Sequence, residues 1–131
     1  MRKTVQLQWT AAVLVLLSSA VFALAEGKGK QGTIEGEIVD TACYLNMGKR
    51  GDEHRKCAVL CSKDGIPTGV LASNGKMYTL LAPSAGLADY QAQQARVTGT
   101  IYEDSNAISP KKIELKKDGK WVEVPLPETM M

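Results

Sequence analysis

Aromatic residues are scarce in this chain: one Phe, two Trp and four Tyr among 131 residues. Histidine is scarcer still, with His54 alone, and cysteine is limited to Cys43, Cys57 and Cys61. Few aromatics leave little to stack on bases, and the charge balance removes the other requirement for nucleic-acid binding, a basic excess gathered on one face. The 16 basic and 14 acidic residues give a formal +2. Arg2 and Lys3 carry that excess, and the rest of the chain is balanced at 14 against 14. Nucleic acid is therefore excluded as a partner. There is no phosphate-cradling glycine loop, no haem-attachment Cys-x-x-Cys-His, and no Ser/His/Asp set that the one histidine could serve.

Long apolar runs are missing except at the start. Arg2 and Lys3 precede an uncharged run, Ala11 to Ala25, and Ala23-Leu24-Ala25 ahead of Glu26 has the small-x-small pattern of a signal-peptidase site. A membrane span needs about 20 apolar residues; this run has 15 and contains Ser18 and Ser19. The expectation is a cleaved signal peptide over 1–25, no stable membrane span after cleavage, and export to the periplasm or the extracellular space. No cysteine follows the small-residue site, which argues against a lipoprotein. Cleavage leaves 106 of the 131 residues, enough for one domain with a modest core.

The tract Glu26-Gly-Lys-Gly-Lys-Gln-Gly32 reads as a flexible leader, followed by a single domain over 33–131. From Thr33, Ile34, Gly36 and Ile38 alternate with Glu35, Glu37 and Val39, the period of a strand with one buried face. Asp52 to Lys63 lacks that alternation and ends before Gly65 and Pro67, which predicts a short helix. Val70–Ala72 and Met77–Leu81 flank Ser73-Asn74-Gly75-Lys76, a hairpin signature. Pro83 to Gln94 is Ala/Gln-rich and predicts a second helix. Ala95–Glu103, Ile108–Lys116 and, after the Asp118-Gly119 turn, Trp121–Val124 complete the strands. The expected fold is mainly β: a small five-stranded OB-like Greek-key barrel, with a helical Cys/His insertion after strand 1 and a helix between strands 3 and 4. A small sandwich is the rival. Gly99 in Val97-Thr-Gly-Thr-Ile101 is placed to let a barrel strand bend. Lys111-Lys112 and Lys116-Lys117 read as the polar side of an edge strand.

Chemistry concentrates between Asp40 and Gly69. Cys43, His54, Cys57 and Cys61 are all the soft or borderline ligands of that kind the chain has. On a helix, His54, Cys57 and Cys61 stand at i, i+3 and i+7, within about 60° of one face, and Cys43 enters from the end of the first strand. Two readings follow. In the first, the four residues form a Cys3His set for zinc or copper(I), strained because His54 and Cys61 lie about 10.5 Å apart along an ideal helix; a frayed first turn relieves it. In the second, export into an oxidising compartment bridges Cys43 to Cys57 or Cys61, closing a loop of roughly 15–20 residues and contributing about 3 kcal/mol. The odd third thiol then needs a use, and His54 beside it could make it reactive. Asp40, Asp52, Glu53 and Asp64 flank the cluster as outer partners or as helix caps. Met47 is a thioether for copper(I) or a packing residue; Lys49-Arg50 is a solvated pair.

The run Gly36-Glu-Ile-Val-Asp40, Cys43-Tyr44, His54, Cys57-Ala58, Cys61, Gly65-Ile-Pro67 resembles a motif of small exported bacterial proteins of uncharacterised function, and the downstream Val-Thr-Gly strand is similar to bacterial OB-fold modules. The resemblance implies that the Cys/His residues act as a unit; it brings no activity, substrate or protein partner with it. The sequence therefore points to an exported, non-enzymatic binding module whose cluster holds zinc or copper or is stapled by a disulfide. The alternative is a thiol-redox protein using Cys57 or Cys61.

Overall fold

A computed structural model describes residues 29–128. The expected signal segment, 1–25, and residues 26–28 lie outside the described residues. Six strands are present: β1 (Lys30–Asp40), β2 (Thr68–Ala72), β3 (Met77–Leu80), β4 (Gln94–Tyr102), β5 (Ala107–Lys117) and β6 (Lys120–Val124). They run β3-β2-β1-β4-β5-β6, and a parallel contact between β3 and β5 closes the first five into a barrel. The fold is the expected OB-like barrel, with β6 added outside it on β5.

Closure depends on two pairs, Thr79 with Ala107 and Leu80 with Ile108. Coiling is enabled where β4 meets β5. The register shifts between Thr98 and Gly99, and a Cβ at Gly99 would run into the carbonyl oxygen of Ser109. Only glycine permits that approach. Inward-facing Ile34, Ile38, Val70, Tyr78, Leu80, Val97, Ile108, Ile113 and Leu115 fill the barrel, and Leu87 plugs it from the connection between β3 and β4. At about 1.5–3 kcal/mol for each buried large apolar side chain, this is the main favourable term of the fold.

Four local expectations need correction. β1 begins at Lys30, so 30–32 of the expected leader pair with Ile101, Thr100 and Gly99; the partner strand supplies the order that a Gly/Lys composition lacks. The helix expected over Pro83–Gln94 is present but shorter, a 3₁₀ helix over Ser84–Tyr90, and Gln94 already belongs to β4. The Cys43-to-Asp52 loop contains a helix, α1 (Thr41–Met47). Lys116 and Lys117 do not mark an edge, because β6 pairs with Ile113–Lys117; Lys111 and Lys112 precede that pairing.

The insertion of 41–67 leaves and rejoins the barrel at one point. Asp40, the last residue of β1, pairs with Thr68, the first of β2, while Thr41 donates through both its backbone N–H and its hydroxyl to the Pro67 carbonyl (3.0 and 2.9 Å). The helix expected over Asp52–Lys63 is a 3₁₀ turn, Asp52–His54, continued by α2 (Arg55–Lys63). α2 packs on the Ser84–Tyr90 segment and on β1. Ser62, Thr68 and Gln91 form a buried polar knot beneath it: the Gln91 amide donates to Ser62 Oγ (2.6 Å) and Thr68 Oγ1 (3.2 Å).

Candidate metal centre

Asp40 organises the site. It is 1% exposed, and its two oxygens act in different directions. Oδ1 accepts the Cys43 backbone N–H at 2.8 Å, capping α1, which places Cys43 in the first turn directly over the end of β1. Oδ2 accepts from His54 Nε2 at 3.1 Å. A carboxylate accepts only, so Nε2 carries the proton and the ring's lone pair is left on Nδ1.

His54 is not inside α2. It ends the 3₁₀ turn and stands at the N-cap, with φ −94° and ψ −8°, so it is free of the helical phase that made its distance from Cys61 a difficulty. Its position is fixed from β1 by Glu37, whose Oε1 accepts the Gly51 N–H (2.6 Å) while Oε2 faces Arg50 (3.7 Å). Gly51, at φ +76°, makes the bend into the turn.

The four expected ligands do come together. Donor atoms of Cys43, His54 and Cys57 lie within 4.8 Å of one another, and those of Asp40, Cys43 and Cys61 do likewise. Cys43 is common to both sets. Cys61 belongs to the second set, its sulfur within 4.8 Å of that of Cys43. The cluster is open on one side only: Asp40 and Cys43 are buried, His54 and Cys61 half-buried, and Cys57 exposed. Burial, reinforced by the neighbouring Asp40 carboxylate, pushes the Cys43 thiol up to about 12. Cys61 is raised by burial first and then by Cys57. Both directions keep these thiols protonated near neutral pH and disfavour Cys61 as a low-pKa nucleophile. All three cysteines are free.

Other residues singled out in the sequence stay outside the cluster. Asp52, Glu53 and Asp64 are exposed, the first two in the first turn of the 3₁₀ segment. Met47 is 60% exposed at the end of α1, and Lys49 and Arg50 are exposed. Asp40 is both a cap and a partner of the cluster, the two roles it was expected to choose between. The roles of Glu37 and Gln91 had no sequence signal, because each depends on a residue that folding brings from elsewhere.

No protein-family model, curated protein or solved structure matches the chain. No helix among the described residues is long and apolar enough to cross a membrane.

Proposed function

We propose that this protein is an exported, non-enzymatic binding module that holds one thiophilic metal ion, zinc or copper(I), on Cys43, His54, Cys57 and Cys61. The observation that carries the reading is the convergence of Cys43, His54 and Cys57 donor atoms within 4.8 Å, with the His54 ring already held through Nε2 by the buried Asp40 carboxylate. That carboxylate-to-histidine arrangement is a recurrent support of metal-ligating imidazoles. Three sulfurs and one imidazole suit tetrahedral zinc and trigonal or tetrahedral copper(I). Export rests on the first 25 residues and on the resemblance to small exported proteins, and it places the site in the periplasm or outside the cell.

The test is intact mass under native and denaturing conditions, with free-thiol counting. One ion per chain is expected, and His54→Ala should weaken binding with all three thiols reduced. A reduced, folded protein that takes up neither zinc nor copper(I) would overturn the reading.

The Cys43 sulfur lies within 4.8 Å of those of both Cys57 and Cys61, which favours a second state, in which two-electron oxidation by a disulfide-bearing oxidant joins Cys43 to Cys57 or Cys61 and the oxidant leaves as its dithiol. If that state alone mattered, His54→Ala would be silent, and the two bridged cysteines would matter equally for stability.

A further inference from the structure

We infer that Asp40 is the positioning residue that gives this site its preference for a divalent ion over copper(I). The inference rests on the metal-binding reading above and names the residue that makes the ion's charge count.

Three observations support it. First, Asp40 is 1% exposed, so its charge is not screened by water and acts on whatever sits among the sulfurs. Second, its carboxylate contacts the cluster from two sides: Oδ2 holds His54 Nε2 at 3.1 Å, and a carboxylate oxygen lies within 4.8 Å of the Cys43 and Cys61 sulfurs. Third, no lysine or arginine pairs with it among the described residues; its partners are the Cys43 N–H and the His54 ring.

A fixed, buried negative charge attracts a doubly charged ion twice as strongly as a singly charged one at the same place. The thiolates favour zinc and copper(I) alike, because sulfur is a good ligand for both. The hydrogen bond to Nε2 likewise serves both, by holding the ring with Nδ1 free. The carboxylate's charge adds to that of the thiolates in favouring the doubly charged ion, and it is the part of that preference contributed from outside the ligand set.

Asp40→Asn tests this through the ratio of the two affinities. Asparagine keeps an oxygen to cap α1 and removes the charge; it also sets an amide N–H where Oδ2 accepts from His54, and that loss of support weakens both ions alike. Competition titrations of the reduced protein, with zinc and with copper(I) each against a chromophoric chelator, should show zinc affinity falling about 10- to 100-fold, the range typical for losing such a support. Copper(I) affinity should fall less, so that the ratio of the two affinities drops by about tenfold, while stoichiometry stays at one. An equal loss for both ions would overturn the inference, because a purely structural defect weakens both. Loss of the zinc equivalent from a folded variant would overturn it too, by making Asp40 a ligand. Nitrogen-15 shifts of His54 in the zinc-loaded wild type give a check that needs no variant: Nε2 should be protonated and Nδ1 bound to metal, and the reverse tautomer would overturn the proposal. A wild type that binds neither ion would sink the metal reading itself, whereas the other failures leave it standing.

Discussion

Gln91 carries the one buried side-chain polar atom without a partner among the described residues, its Oε1. Its amide nitrogen is well used by Ser62 and Thr68, and those two hydroxyls also lie 3.3 Å from each other. The energetic consequences are asymmetric, since stranding a buried polar group costs more than removing it together with its need. Gln91→Leu removes the orphan and leaves two hydroxyls that satisfy each other, so urea unfolding should move by less than about 1 kcal/mol. Ser62→Ala takes away the 2.6 Å acceptor and should cost about 1–3 kcal/mol. The reverse order of the two would show that the knot is not what joins α2 to the barrel. Cys43 gives a pH dependence at the same scale. An unfolded thiol loses its proton near 9.0, whereas burial holds the folded one up to about 12. Between those values the native state binds more protons than the unfolded state, so the stability of the metal-free protein must fall as pH rises. The contribution is fully present below the lower value, and Cys61, shifted in the same direction, adds to the decline. Cys43→Ala should flatten it in alkaline denaturant titrations; an unchanged slope would show that Cys43 is not shielded.

Elements were legible where their signal was local. The alternation in Ile34–Val39 and the Asp118-Gly119 turn, where both residues take positive φ (+50° and +77°), are examples. α1 was missed although its ends are marked: Asp40 caps it and Gly48 stops it at φ +66°. Seven residues containing Leu45 and Met47, exposed at 68% and 60%, present no apolar stripe to find. The helix expected over Pro83–Gln94 is there, but as a shorter 3₁₀ helix over Ser84–Tyr90, because the chain must return quickly to β4. The hairpin was placed correctly, but its turn differs in kind. Gly75 alone takes positive φ, +83°, and Asn74 Oδ1 accepts the Lys76 N–H at 2.9 Å, so the asparagine contributes its side chain and not a left-handed backbone. Gly75 has nothing within 4 Å of a built Cβ, so Gly75→Val should act through backbone strain alone. The expected cost is above about 1 kcal/mol, and an unchanged melting temperature would refute it. Of the site, the four ligands were readable because no other residues of those types exist, whereas the Asp40–His54 contact needed the insertion's return path.

At the scale of the molecule, the barrel and the cluster are separate constructions joined at a narrow neck. The buried core draws on Ile34, Val97, Ile113, Leu115 and their neighbours, and it includes none of Cys43, His54, Cys57 and Cys61. The ligands sit on the first turn of α1, a 3₁₀ turn and α2, all held at the neck by Asp40 facing Thr68 and by Thr41 bonded to Pro67. A metal would tie those segments to one another without touching the barrel's closure through β3 and β5. Stripping the ion under reducing conditions should therefore loosen the insertion and spare the barrel. Hydrogen exchange reads this directly: amides in 41–63 should lose protection on chelation, while those of Val97 and Ile113 keep theirs. Re-adding zinc at about 100 times its dissociation constant should restore about 2.7 kcal/mol to the insertion's opening. If chelation released the β4 and β5 amides as well, the cluster would be part of what holds the barrel together, and the separation of scaffold from site argued from the core would be wrong.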